Sequence, residues 1–551
     1  MNEKQKEPLM RRFNSYGPIN PKLHYYVPRE KLIEQGYRQL LGESPSEGGH
    51  YITVWAPRQT GKSWVMLQVL EQIQKQKTEQ GDQGLDVDVI KVDLDLPDQD
   101  TNLDNIAVSI AEEIFIELGK KNPGIDSLKQ FPTLFTNEVL DKPLILLIDE
   151  FDALPKEGIS RLTRVFRNLY MRRQKELNKP LNQRRYLLHG LALIGVRSVL
   201  GIENKRGSPF NVQRSVHIPN LTYDETKGMF AWYEKESGQK VHSEVIDRLF
   251  AETRGQPGLT CWFGELLTET YNQNPTKPIT MENFEEVLAA AVKILPNNNI
   301  LNIISKANEK EHKSLVLELF KTDRKIEFNY DDKSLNYLYM NGVIDVEKES
   351  PTQYYVRFSS PFVQKRLFNY FSREIFQQMG QLVEPFLNLD HVITPTHLEV
   401  PELLKLYQNY LDKNKKWMFK QAPRRSDMRV FEAVFHFNLY AYINEFLRGK
   451  KGQVFPEFPT GNGKIDLLIQ YQNVTYGIEL KSFTDHAGYG DALKQAAGYG
   501  QQLHLDHIYL VFFIESIDEK HRQIYEKEYR DEDIGSPGVT VHPIFIETGK
   551  I

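Results

Sequence analysis

Tyr51-Ile-Thr-Val-Trp55-Ala56-Pro-Arg-Gln-Thr60-Gly61-Lys62-Ser63 is the stretch on which the fold turns. Five strand-favouring residues run into a turn bearing Pro57 and Gly61, and an amphipathic helix is predicted from Ser63 to Gln74. A strand followed by a loop that ends in Gly-Lys-Ser and opens a helix is the context of a phosphate-binding loop, or P-loop. Its backbone N–H groups and the helix N-terminus can surround phosphates. Lys62 can reach the β- and γ-phosphates of ATP, and Ser63 can hold Mg2+, with Thr60 and Gly61 in the cradle. Ala56 stands where the motif has its first glycine, which makes the loop alone less specific.

Outward from this loop, short apolar runs alternate with longer amphipathic segments. Strands are expected at Tyr51 to Trp55, Val87 to Val92, Leu144 to Ile148 and Leu191 to Val196, with helices at Asn102 to Leu118 and Ile159 to Arg173 between them. That alternation predicts a parallel sheet covered by helices, an α/β unit. Thr222 to about Leu295 turns helical, with a break at Gly255-Gln-Pro-Gly258, and reads as a lid. Lys313 to Phe320, Ser334 to Asn341 and the strand-like Tyr354 to Phe358 read as two helices and a wing.

Leu144-Ile-Leu-Leu-Ile148-Asp149-Glu150-Phe151-Asp152 is an apolar strand ending in acids. Asp149 would complete a Mg2+ shell and Glu150 would polarise an attacking water. Alone, the run also fits a buried strand with a solvated acidic end. Its order after the P-loop favours the nucleotide reading. Arg197, after the last expected strand, is a candidate γ-phosphate sensor or a plain surface arginine. Arg206 and Arg214, flanking Ser208-Pro-Phe-Asn211, are weaker candidates for a cationic finger.

These motifs, with His24-Tyr-Tyr-Val-Pro-Arg29 and Gly255-Gln-Pro-Gly258, resemble the AAA-like, STAND-related P-loop ATPases of prokaryotes over about Phe13 to Ser360. The resemblance implies nucleotide-controlled switching or assembly. It also implies that the segment before the P-loop contacts the base and that the Gly-x-Pro segment faces the nucleotide.

A second α/β unit is expected after Ser426, in the order α-β-β-α-β. It comprises a helix to Leu447, strands at Gly463 to Tyr471, Val474 to Leu480 and Ile508 to Phe513, and a helix at Gly490 to Leu503. Asp466 and Glu479 fall on successive strands joined by the Gln472-Asn473 turn, and Lys481 follows Glu479 by two, on the same strand face. Two carboxylates that bind Mg2+ or Mn2+ and a lysine that steadies a hydroxide or a phosphorane are the parts that phosphodiester hydrolysis needs. The hairpin alone also fits an exposed Asp beside a Glu–Lys pair. Glu432, in the preceding helix, can join the cluster as a metal ligand, and Gln495 and Tyr499, four apart, share a helical face.

This set resembles the PD-(D/E)xK nuclease superfamily, with its Gln-x-x-x-Tyr subgroup, over roughly Ser426 to Ile514. Asp466 matches the motif aspartate, Glu479 and Lys481 the E-x-K pair, Glu432 the helical glutamate, and Gln495 with Tyr499 the final helix. The motif's proline is absent, since Lys464-Ile465 precede Asp466. His436 and His486 lie nearby as packing or surface residues. Lys413, Lys415, Lys416, Lys420, Arg424, Arg425 and Arg429, with Trp417 and Phe419, offer cations and stacking faces for nucleic acid, or form a solvated basic linker.

The expected organisation is therefore an ATPase core at 1–220, a lid at 221–300, a winged-helix module at 301–375, a linker at 376–425 and a restriction-endonuclease-like α/β domain at 426–551. A length of 551 residues requires several cores. A net charge of −5 confines any nucleic-acid contact, DNA before RNA, to local patches. One cysteine and scattered histidines argue against disulfides and structural zinc. The polar first residues and the lack of a bilayer-length apolar run predict a cytoplasmic protein without a membrane partner, and a homo-oligomer is compatible with the ATPase resemblance.

Overall fold

Short runs rich in leucine and β-branched residues build the first sheet: β1 (Tyr51–Trp55), β2 (Asp88–Asp93), β3 (Leu144–Asp149), β4 (Leu188–Gly195) and β5 (Arg214–His217). All pair in parallel, in the order β2-β3-β4-β1-β5. Such a sheet is covered on both faces, which is why β3 and β4 are buried along their whole length. Val65, Met66, Val69 and Ile73 of helix Lys62–Gln80 join Ile52, Val54, Ile145 and Leu147 in one core. Ile106, Ile110 and Ile114 of helix Leu103–Glu117 and Leu162 and Phe166 of helix Lys156–Gln174 fill the other. The parallel order brings the ends of β1, β2 and β3 to one edge of the sheet, where α/β proteins bind ligands.

The computed structural model describes residues 10–42, 48–80, 86–94, 102–195, 214–320, 325–377, 389, 391–419, 432–447, 450, 452–459, 464–483, 486–530 and 538–549. It divides into two compact units, residues 1–291 with 330–342, and residues 292–329 with 343–551.

In the first unit, β4 starts three residues before the expected Leu191, because Leu188 already pairs with Leu144. Strand β5 was not anticipated: Arg-Ser-Val-His carries too little periodic signal. Arg173 anchors the opposite edge. Its buried guanidinium donates to the carbonyls of Gly49, Leu188 (2.9 Å) and His189, and lies over the rings of Tyr51 (5.3 Å) and Tyr170 (5.0 Å). Arg173→Met should remove this donor from the Gly49 and His189 carbonyls, the Leu188 carbonyl keeping the Tyr51 hydroxyl (3.1 Å), and lower unfolding stability by about 3 kcal/mol. A denaturant midpoint that moves by less than a third of that would refute the anchoring role.

The region expected to form a lid is helical, with Tyr223–Ser237, Ser243–Thr253, Pro257–Glu265 and Met281–Lys293. Thr222 caps the first of these in a reciprocal capping box with Glu225. Gly255 has φ +67°, and a Cβ there would collide with the Leu221 carbonyl.

The second unit contains helices Asn298–Ala307 and Lys313–Leu319, the hairpin β6 (Ile344–Ser350) and β7 (Gln353–Phe358), and helices Pro361–Gln377, Val400–Met418 and Glu432–Phe446. Helix Lys333–Met340, expected in the same module as the hairpin, groups with the first unit.

Its six-stranded sheet comprises β8 (Gly452–Pro459), β9 (Lys464–Tyr471), β10 (Val474–Ser482), β11 (His507–Ile514), β12 (Tyr529–Arg530) and β13 (Thr540–Glu547), in the order β12-β13-β11-β10-β9-β8. The expected α-β-β-α-β order is present, with helix His486–Gln502 joining the parallel β10 and β11. Strands β8 and β13 were unexpected because each contains proline. Prolines are tolerated in β8 because it is an edge strand, and Pro543 lies past the two residues of β13 that pair with β12. Gln472 and Asn473, both with positive φ, form the tight turn between β9 and β10.

Candidate functional site

The loop between β1 and helix Lys62–Gln80 has the backbone of a phosphate cradle. Gly61 sits at φ +85° with open space where a Cβ would be, so the backbone conformation, and not crowding, selects glycine. Lys62 Nζ donates to the Ala56 (3.0 Å) and Pro57 (2.8 Å) carbonyls, and Thr60 Oγ1 donates to Pro57 (2.9 Å). Burial pushes the Lys62 ammonium down to about 8, against the opposing pull of Asp152, Asp149 and Glu150. A desolvated cation that donates to neutral carbonyls fits an anionic phosphate. Ser63 follows in the first helical turn.

Asp149 ends β3 and is buried. Its Oδ1 accepts the Glu150 N–H at 3.0 Å, and its Oδ2 lies 3.2 Å from Lys91 Nζ. Glu150 is exposed and left-handed, at φ +54°, a conformation a non-glycine residue holds at a cost of order 1 kcal/mol. If Glu150 is the group that takes a proton from water, Glu150→Gln should keep nucleotide affinity within about twofold and slow hydrolysis by roughly 10²-fold or more. Wild-type turnover in that variant would remove Glu150 from the chemistry.

Two contributors went unread in the sequence, and a third, Gln256, lies in the Gly255-Gln-Pro-Gly258 segment that was expected to face the nucleotide. Asp152 exerts the strongest carboxylate pull on Lys62 and packs so closely on Gly195, at the end of β4, that a Cβ there would collide with its Oδ1. Its signal was the third acid of Asp149-Glu-Phe-Asp152. Lys91 was hidden as a charge within a strand. Gln256, the cap of helix Pro257–Glu265, donates to the Arg58 (3.0 Å) and Gln59 (3.3 Å) carbonyls, while the Gly258 N–H donates to Gln59 at 2.9 Å. A Cβ on Gly258 would lie 2.6 Å from the Gln59 Cβ, so glycine permits this approach of lid helix to P-loop.

The segment before the P-loop also joins the site. The Tyr26 ring sits 5.4 Å from Trp64 and 5.6 Å from Trp232, and Arg29 donates to the Pro219 (2.7 Å) and Asn220 (3.0 Å) carbonyls. Arg197, Arg206 and Ser208 to Asn211 lie outside the described residues, as does the side chain of Arg214.

In the second unit, Asp466, Glu479 and Lys481 come together, each buried to 3% exposure or less. The β9–β10 pairing runs as far as Ile478 opposite Leu467. There the Asp466 carboxylate, through Oδ2, takes the Leu480 N–H at 2.7 Å. Lys481 Nζ lies 3.3 Å from Glu479 Oε1, an ion pair with almost no exposure to solvent. Burial, then the charge of Asp466, holds the Glu479 carboxyl well above the usual carboxylate range, with Lys481 opposing. A buried carboxylate beside a second carboxylate fits a divalent cation, which would offset the repulsion between them. Gln495 Nε2 donates to Tyr499 Oη at 2.8 Å. The Tyr499 hydroxyl is pushed up by burial and then by the charge of Glu479.

Glu432 opens its helix, but its side chain lies outside the described residues, as does that of His486. Among the described residues, no three or more His, Cys, Asp or Glu are grouped to hold a metal ion. His436 is a packing residue, with Nε2 3.2 Å from the Asp466 carbonyl and its ring edge-on to Phe368. Phe419 offers no stacking face: it is buried against Phe435, at 5.2 Å. Lys413 and Lys415 lie on helix Val400–Met418, Lys415 paired with Asp412 at 2.9 Å. Lys420, Arg424, Arg425 and Arg429, and the side chains of Lys416 and Trp417, lie outside the described residues. Among the described residues, no single helix is long and apolar enough to cross a membrane.

Residues 46–179 match the family model described as AAA domain. Among solved structures, the chain is similar to the Aeropyrum pernix ORC1 protein in complex with DNA, at 15% identity over 63% of this chain and 94% of that one, with a TM-score of 0.34. It is also similar to the Walker-type ATPase of Pyrococcus abyssi, at 14% identity over 64% and 99%, TM-score 0.40. The Thermotoga maritima RuvB branch migration motor aligns at 12% identity over 60% and 92%, TM-score 0.32. No curated protein matches the chain. The family match and the loop geometry make the N-terminal region an AAA-type P-loop ATPase domain that binds ATP.

Proposed function

We propose that this chain is a nucleotide-regulated, metal-dependent nuclease that hydrolyses phosphodiester bonds, in DNA before RNA. The observation that carries the reading is Glu479: a fully buried carboxylate, 3.3 Å from the Lys481 ammonium and next to Asp466 on one strand hairpin. Asp466 and Glu479, with Glu432, would hold Mg2+ or Mn2+, which supplies hydroxide from water and polarises the phosphate. Lys481 steadies the charge that builds in the transition state, and Tyr499 and Gln495 brace the cluster or touch the nucleic-acid backbone.

In the ATPase half, Thr60, Gly61, Lys62 and Ser63 cradle the phosphates, Ser63 and Asp149 hold Mg2+, Glu150 activates water and Arg197 senses the γ-phosphate. ATP thereby sets the conformation or homo-oligomeric assembly that admits nucleic acid. The working division is a core at 1–220, a lid at 221–300, a winged-helix module at 301–375, a linker at 376–425 and the nuclease at 426–551. A cytoplasmic role in prokaryotic defence against phage or plasmids suits this combination.

One observation favours a second reading. The Asp466, Glu479 and Lys481 side chains are nearly closed to solvent, as in a domain that binds a partner without cutting. Purified protein incubated with plasmid, linear DNA and RNA, with Mg2+ or Mn2+, with and without ATP, separates the two. The nuclease reading requires cleavage that an Asp466→Ala variant loses. No cleavage under any nucleotide condition, together with no divalent-ion binding at the second site, leaves the partner-binding reading. Preference for branched DNA or ends over intact plasmid would redirect the role to repair.

A further inference from the structure

The carboxylate that ends β3 is already engaged on both sides. Asp149 Oδ1 takes the N–H of Glu150, and Oδ2 lies 3.2 Å from the ammonium of Lys91, which is also paired with Asp93. Asp93 is the register partner of Asp149 across the parallel β2–β3 pair. Lys91 precedes Asp93 by two, so both project from the same face of β2. Ile90 and Val92 face the core beneath helices Leu103–Glu117 and Lys156–Gln174, whereas Val89 packs with the core of helix Lys62–Gln80. Lys91 therefore stands on the side of the sheet that carries the P-loop helix. Its side chain is 14% exposed and that of Asp149 is 6% exposed, so the pair is little screened by water.

We propose that Lys91 is a resident counter-ion for Asp149, a positioning residue that must give way before a divalent cation can use this carboxylate, and that it thereby sets the Mg2+ concentration at which nucleotide binds. The inference rests on Asp149 as a metal ligand. A single carboxylate oxygen engaged by an ammonium is available to a metal only for the fraction of time the pair is open, and apparent metal affinity falls by that fraction. Asp93 gives the released ammonium a second anion, so displacement leaves no buried unpaired charge. The strand register that sets Asp93 beside Asp149 makes this exchange possible without moving the sheet.

The test is titration of the full chain with Mg2+ at a fixed, sub-saturating concentration of a fluorescent ATP analogue, followed by binding and not by turnover. Lys91→Met should lower the half-saturating Mg2+ concentration by on the order of tenfold, because Asp149 no longer has a competing cation. The variant should also melt lower without Mg2+ and gain more from Mg2+ alone than the wild type. Lys91→Arg, which keeps the charge, should stay near the wild-type midpoint, and Lys91→Gln repeats the test if the Met variant does not fold. An unchanged or raised Mg2+ midpoint in folded Lys91→Met and Lys91→Gln overturns the proposal. Asp149→Asn separates the two failures. If it leaves the Mg2+ dependence untouched, the metal-ligand reading of Asp149 is what is wrong. If it abolishes that dependence while Lys91→Met does nothing, only the counter-ion role is lost.

Discussion

Asp466→Ala, Glu479→Ala and Lys481→Ala are each expected to abolish nucleic-acid cleavage while ATP turnover stays within about twofold of wild type. A single preorganised charge at such a centre is worth on the order of 10²-fold or more in rate. The three losses should differ in kind. The two carboxylate variants should lose divalent-ion affinity, measured by calorimetry, and Lys481→Ala should keep it and lose only rate. The raised Glu479 carboxyl adds a pH signature. A group whose pKa is higher folded than unfolded stabilises the fold below the ordinary carboxyl range, and that stability is lost as pH rises through the raised value. Metal-free protein should therefore melt progressively lower across that window, and Glu479→Gln should flatten the slope. Equal cleavage by wild type and all three variants would end the nuclease assignment.

Lys62→Ala should cut ATP hydrolysis by on the order of 10²-fold or more and weaken nucleotide binding, since the phosphates lose their principal protein cation. The ammonium is now desolvated and leans on two loop carbonyls, with burial depressing it to about 8. A phosphate replaces those neutral partners with a charge and should restore the ammonium's affinity for its proton. ATP binding in weakly alkaline buffer should consequently take up protons, seen as a dependence of the calorimetric heat on buffer ionisation. A folded Lys62→Ala protein with wild-type affinity and turnover would contradict the P-loop assignment. If cleavage by that variant persists and no longer responds to ATP, the ATPase is regulatory, as the proposed function requires.

The sequence by itself determined the elements whose signals are local. The strand from Tyr51 to Trp55 and the apolar run ending in Asp149 could be read because a strand buried on both faces is written as a continuous apolar stretch. The hairpin carrying Asp466 and Glu479 was equally legible, since Gln472-Asn473 is a two-residue turn and period two sets Lys481 beside Glu479. Elements whose stability comes from neighbours were not. The proline-bearing strands β8 and β13 exist because β8 is an edge strand and Pro543 lies beyond the short stretch of β13 that β12 covers, so neither position needs the ladder bond that proline cannot make.

Tertiary structure alone decided the partners of each charge. Lys91 and Asp149 are 58 positions apart in the chain, by their numbering, and meet only because β2 and β3 pair in parallel register. The charge of Asp152 acts on Lys62, and Gln256 donates to the P-loop carbonyls, through a fold that no local period encodes. Burial of the Asp466, Glu479 and Lys481 cluster is likewise a property of the packed sheet and its helices. Composition and spacing specify which chemistry a residue can offer. Electrostatic environment depends on what the fold removes from water and what it sets alongside, and that information is distributed over the whole chain.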